Sequence, residues 1–175
     1  VSSSQSIALV GMPGAGKSAV GKELGRRLQR AFADSDVVIE QRIGCSIREY
    51  FEREGEAAFR QLEEQVLAEL GEQGAGVVAT GGGIVIRPAN RACLQQSFRV
   101  VYLHAAPEDL YRRLRHDTKR PLLQVADPLA RLRELYAARD GLYREVAHVV
   151  VETGRASVGA VVTDVQRQLQ AASEG

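Results

Sequence analysis

Cysteine is scarce in this chain of 175 residues, which has two, Cys45 and Cys93. Neither sits in a C-x-x-C pair or near a histidine at metal-ligand spacing, so a disulfide scaffold and a zinc module are both excluded. An excess of one charge is also missing, since 23 Lys+Arg face 22 Asp+Glu for a net charge of +1. Duplex nucleic acid and anionic membrane surfaces usually demand a clear basic excess, so neither is expected as a partner. No apolar run is long enough to span a bilayer, and the opening Val1–Ser6 lacks the basic start of a signal peptide. A cytoplasmic location is the expectation. Lysine is rare as well, with three against 20 arginines, so a lysine in a meaningful context carries more weight than an arginine.

What is present describes a folded chain. Hydrophobic residues make up 45% and charged residues 26%, which excludes wholesale disorder. At this length one domain is expected over 1–175. Short apolar runs at Ile7–Val10, Ala31–Ala33, Val77–Ala79, Phe98–Leu103 and His148–Val151 read as strands. Between them lie helical patterns at Ser18–Gln29, Val37–Arg42, Ser46–Arg53, Pro88–Gln96 and Pro107–Arg115. A long helix after Gly55 would bury a stripe of Phe59, Leu62, Val66 and Leu70, and further helices follow around Leu129–Tyr136 and Val158–Leu169. Alternating strands and helices predict an α/β/α sandwich on a mostly parallel sheet.

Gly11-Met12-Pro13-Gly14-Ala15-Gly16-Lys17-Ser18 matches G-x-x-x-x-G-K-[ST] in full, after a strand and before a helix. In such a loop, glycines let successive backbone N–H groups point at phosphate oxygens, and the helix adds its positive end. Lys17 would reach the β- and γ-phosphates, and the Ser18 hydroxyl would sit on Mg²⁺. This predicts a nucleoside triphosphate site. A GTPase would show N-K-x-D, but the one asparagine, Asn90, precedes Arg91. A motor ATPase would end an apolar strand in Asp-Glu, and none does. A kinase for a small molecule remains.

On the acceptor side, Asp34 and Asp36 follow the second strand, Gly81-Gly82-Gly83 follows the third, and Arg60 begins the long helix. Each has an ordinary alternative: a helix-capping turn, a plain tight turn and a solvated arginine. Together they resemble the shikimate kinase family over essentially the whole chain. GMPGAGKS at 11–18, DSDVVIEQRIG at 34–44, AAFRQLEE at 57–64, ATGGGIV at 79–85, KRPLL at 119–123 and ARDGLY at 138–143 keep the family's order and spacing.

The resemblance implies a P-loop fold like that of nucleoside monophosphate kinases, with a five-stranded parallel sheet. It also implies transfer of the γ-phosphoryl of ATP to the 3-hydroxyl of shikimate, on the route to aromatic amino acids. A monomer binding ATP, shikimate and one Mg²⁺ is expected. By the same resemblance, Asp36 orients or deprotonates the acceptor hydroxyl in a substrate-binding segment of about 34–63. Arg60 and Arg139 clamp the carboxylate, and Gly81, Gly82 and Gly83 lie against the substrate. Gly14, Ala15, Gly16, Lys17, Ser18 and Ala19 hold the phosphates. Ser18 ligates Mg²⁺, and Asp34 holds it through water. Arg113 stacks beside adenine, and Arg120 belongs to a lid of about 115–126 that closes over the phosphates. Ala19 stands where many members carry Thr, and the second edge of the adenine pocket, near Arg155 and Ala156, stays unassigned. The competing readings are a kinase of the same fold for gluconate or a nucleoside monophosphate, and an ATP-binding module without turnover.

Overall fold

In a computed structural model the described residues are 5–74, 76–115 and 125–174. Of the expected lid, residues 116–124, with Lys119 and Arg120, lie outside them. Five strands are present: β1 (Ser6–Val10), β2 (Phe32–Asp34), β3 (Val77–Ala79), β4 (Phe98–His104) and β5 (Val149–Glu152). They form one parallel sheet in the order β2-β3-β1-β4-β5, as expected from the alternation and the resemblance. Every residue of β1 is buried, which explains its unbroken apolar sequence: the strand lies between two others, with helices over both faces.

Among the described residues, eight helices cover the sheet: α1 (Lys17–Leu28), α2 (Ser35–Ile43), α3 (Ile47–Glu54), α4 (Glu56–Gln73), α5 (Pro88–Ser97), α6 (Pro107–Leu114), α7 (Pro128–Val146) and α8 (Val158–Glu174). In α1, the Val20–Leu24 spacing packs one face into the core, and Gln29 closes the helix in the left-handed conformation. Ser46 caps α3 by accepting from the Glu49 N–H, as its position suggested.

Two expectations need correction. The helix expected from Val37 starts at Ser35, because the Asp34 carboxylate accepts from the Asp36 N–H at 3.0 Å and caps it. Asp36 is therefore in the first helical turn. In α4 the buried stripe is Phe59, Glu63, Val66, Leu67 and Leu70, and Leu62 is only partly buried. A glutamate thus faces inward where periodicity favoured a leucine. It does so because Arg60, one turn earlier on the same helix, provides a partner.

The strand order has a direct consequence. From β1 the chain moves through β2 and β3 on one side, then crosses to β4 and β5 on the other. Open parallel sheets bind ligands at the carboxyl edge of such a reversal, and β1 ends there in the glycine-rich loop.

Candidate active site

A cavity of about 1190 Å³ opens at this carboxyl edge. Its floor is the phosphate loop, where Gly14 and Gly16 take φ values of +87° and +88°, a region that favours glycine. Lys17 Nζ donates to the Gly11 carbonyl at 2.7 Å and the Met12 carbonyl at 3.0 Å, which draws the ammonium back over the loop. Ser18 Oγ donates to Asp34 Oδ2 at 2.5 Å, so the ends of β1 and β2 meet at the loop's rim.

The three glycines after β3 are crowded. A Cβ on Gly81 would lie 2.8 Å from Asp36 Oδ1, and one on Gly83 would lie 2.5 Å from Arg60 Nη1. A Cβ on Gly82 would lie 3.1 Å from Pro13 Cδ and 3.4 Å from Arg139 Nη1. None of the three has positive φ, so space and not backbone freedom requires glycine here. The turn is the meeting point of Asp36 from α2, Arg60 from α4 and Arg139 from α7. The sequence-predicted acceptor residues, scattered over a hundred positions, converge on it.

Their electrostatics differ. Burial pushes the Asp36 carboxyl up to about 6, helped by the negative charges of Asp34 and Glu63 and opposed by Lys17. Glu63 is 1% exposed and accepts from Arg60 Nη1 at 2.8 Å, and burial still raises its carboxyl above the usual range. Arg60 has a second carboxylate, Glu56, at 3.5 Å, and its Cζ stands 5.1 Å from the Phe59 ring centre. Its buried Nε has no hydrogen-bond partner. That Nε is the atom facing Glu56, and an arginine fixed on three sides is suited to a planar anion.

Arg113 lies across the loop from these groups. Its guanidinium donates to the Gly14 carbonyl at 3.1 Å, to Thr153 Oγ1 at 3.3 Å and to the Gly154 carbonyl. It therefore ties the phosphate loop to the turn after β5, beside Arg155 and Ala156. Ala15 is buried and Ala19 exposed, both on the loop and its helix.

Sequence reasoning missed several residues of this cavity. Ile47 and Phe51 of α3 form an apolar wall, with Phe51 5.7 Å from Phe59. Thr80 anchors the glycine turn by donating to the Leu9 carbonyl at 2.8 Å. Glu63 and Tyr143, whose hydroxyl donates to the Gly82 carbonyl at 2.5 Å, complete the acceptor side. Both lie inside motif segments quoted above, and the i,i+3 spacing of Arg60 and Glu63 was the available signal.

Residues 13–170 match the family model described as shikimate kinase. The chain belongs to the shikimate kinase family. A shikimate kinase of Paracidovorax citrulli is 58% identical over 170 residues, covering 95% of this chain and 93% of that one. One from Ralstonia nicotianae is 52% identical over 166 residues, covering 95% and 87%. Among solved structures, a shikimate kinase from Acinetobacter baumannii in complex with shikimate matches with a TM-score of 0.92 and 42% identity, covering 97% of this chain and 95% of that one. Family membership makes the chain an ATP-dependent kinase, and the P-loop sandwich expected from sequence is the fold observed. Among the described residues, no helix is long and apolar enough to cross a membrane.

Proposed function

We propose that this enzyme transfers the γ-phosphoryl of ATP to the 3-hydroxyl of shikimate, giving 3-phosphoshikimate and ADP. The observation that carries this reading is the convergence of Asp36, Arg60 and Arg139 on the Gly81–Gly83 turn, beside the phosphate loop. One carboxylate and two guanidiniums suit an acceptor that is itself a hydroxylated carboxylic acid. The guanidiniums bind the acid, and the carboxylate faces its hydroxyls.

In the reaction, Asp36 accepts the proton of the attacking hydroxyl while that oxygen forms a bond to the γ-phosphorus. The bond from the γ-phosphorus to the β,γ-bridging oxygen breaks, and ADP leaves. A carboxyl held near 6 is ionised at neutral pH and remains basic enough to take that proton. Lys17 and the loop N–H groups neutralise charge on the transferring group. Arg113 supports the adenine side, and Arg120, outside the described residues, is assigned to the phosphates on resemblance.

Mg²⁺ fits the residues present. Ser18 Oγ and Asp34 Oδ2, 2.5 Å apart, are hard oxygen donors at the rim of the loop. Among the described residues, no group of three or more Asp, Glu, His or Cys could hold a metal ion, so phosphates and water would supply the other ligands. Such an ion, when bound, would supply charge neutralisation to the phosphates. Ser18 would be a direct ligand, and Asp34 would act through water.

Coupled ADP release with shikimate, gluconate and AMP tests the assignment. Turnover is expected with shikimate at least about a hundredfold above the other two, because gluconate, although also a hydroxylated acid, is an open chain that must be ordered on binding, and AMP presents a bulkier phosphate in place of the planar carboxylate. Equal turnover with gluconate, or none with shikimate, would overturn it.

A further inference from the structure

Tyr143 stands one helical turn beyond Arg139 on α7 and is fully buried. Its hydroxyl donates to the Gly82 carbonyl, across 61 positions of sequence, at 2.5 Å. Arg139 meets the same glycine, since its Nη1 would lie 3.4 Å from a Cβ on Gly82. The phenol is pushed up to about 12 by burial, opposed by the positive charge of Arg139, so it keeps its proton at neutral pH and donates it to Gly82. A hydroxyl and a guanidinium, both from α7, thus meet at one residue of the glycine turn.

The ring is itself held in place. Tyr102 lies against it, ring centres 5.0 Å apart, and the Tyr102 hydroxyl donates to Asp140 Oδ1 at 2.8 Å. Asp140 also accepts from Arg144 at 3.1 Å. The Tyr143 ring is therefore held by packing against the Tyr102 ring, and its hydroxyl meets a group of the acceptor site. A tyrosine that merely filled core space would have no need to meet it.

We propose that Tyr143 is a positioning residue, whose hydroxyl fixes the Gly82 backbone against which Arg139 stands and so fixes where the carboxylate of the acceptor is held. This rests on the proposed function, in which Arg139 binds that carboxylate. Without the hydroxyl, the Gly82 carbonyl loses its donor and Arg139 loses a fixed surface to stand against, while the ring stays packed.

The test compares shikimate with its methyl ester, which lacks the negative charge. Tyr143→Phe should raise KM for shikimate by up to about tenfold, the value of one hydrogen bond, and leave KM for ATP within about twofold. The preference for acid over ester should shrink by a similar factor, and in an Arg139→Ala background the same change should have no further effect. Tyr102→Phe removes a hydroxyl from the same ring pair but touches neither Gly82 nor Arg139, so it should keep the wild-type preference. Tyr143→4-aminophenylalanine, which restores a donor on the same ring, should recover it. An unchanged preference in Tyr143→Phe, an undiminished effect without Arg139, an equal loss in Tyr102→Phe, or no recovery with the amino analogue would each overturn the proposal. Absence of shikimate turnover in the wild type would instead overturn the functional reading beneath it.

Discussion

Glu63 accepts a hydrogen bond from Arg60 at 2.8 Å, one helical turn away, with its own side chain 1% exposed. This buried pair holds the guanidinium against Gly83. Glu63→Gln keeps the shape of the side chain and removes the charge that fixes the guanidinium, so it should raise KM for shikimate roughly tenfold while sparing KM for ATP. Initial-rate kinetics with each substrate varied reads this effect. A KM for shikimate equal to wild type would show that Arg60 is held by Glu56 or other groups.

Asp36 is a stability cost retained for chemistry. Its carboxyl titrates near 6 in the folded protein against an ordinary 3.8, so the folded state binds the proton more tightly. Its favourable contribution is complete below 3.8 and is lost as pH rises through about 6. Asp36→Asn should then stabilise the ligand-free protein at pH 7 by up to about 3 kcal/mol, while turnover falls by a factor on the order of 10²–10⁴. In the wild type, kcat/KM for shikimate should fall tenfold per pH unit below about 6. A variant that melts no higher than wild type would mean that the carboxylate is better solvated than its surroundings imply.

Asp34 has two tasks that separate by substitution. It caps α2 with one oxygen and meets Ser18 with the other. Asp34→Asn keeps the cap, because asparagine caps about as well as aspartate, and removes the charge. Its melting temperature should stay near wild type while the Mg²⁺ concentration for half-maximal turnover rises about tenfold, as when one charged contact is lost. Asp34→Ala should lose about 1 kcal/mol of stability in addition. An unaltered Mg²⁺ requirement in Asp34→Asn would remove Asp34 from the metal site.

His148 acts on the fold and not on the site. Its Nδ1 accepts the Val100 N–H at 2.9 Å, and its backbone N–H donates to the Val100 carbonyl at 2.8 Å. Partial burial of the ring, with Arg99 nearby, holds it below the ordinary 6.5, and a protonated Nδ1 could no longer accept. The unfolded chain thus binds the proton more readily, and this contribution to stability falls as pH drops through 6.5. Because the residue is largely exposed, the loss should stay under about 1 kcal/mol. His148→Asn retains an acceptor that does not titrate. The difference in melting temperature between variant and wild type should shift in the variant's favour from pH 7.5 to 5.5. Asp36 has the opposite slope but is common to both proteins and cancels. A constant difference would show that His148 does not titrate across that range.

Much of the fold was legible because its signals are local. Val10 followed by a glycine-rich loop and Lys17 places a strand, a turn and a helix by itself, and the apolar runs locate all five strands. Asp34 and Asp36 were legible as a pair, although Asp34 turned out to be both a strand residue and a helix cap. The glycine turn was placed from sequence, and the structure adds a reason of its own. Its lack of side chains answers crowding by Asp36, Arg60 and Arg139, and crowding is a property of three dimensions. Glu63 was missed for the same cause, since a glutamate on a helix reads as solvated until its buried arginine is seen. Tyr143 lies inside the quoted 138–143 segment but was not singled out, because its hydrogen-bond partner comes from a distant turn. Arg113, expected beside adenine, is held by oxygens from two loops that no spacing rule connects.

The central claim is that one carboxylate and two arginines, gathered on a glycine turn, present the 3-hydroxyl of shikimate to ATP. It is tested most directly by identifying the product. Purified enzyme with ATP, Mg²⁺ and shikimate, followed by phosphorus and proton NMR, should form a single phosphate ester at the 3-position, with one ADP released for each ester. ADP released without an ester, or an ester at another hydroxyl, would contradict it.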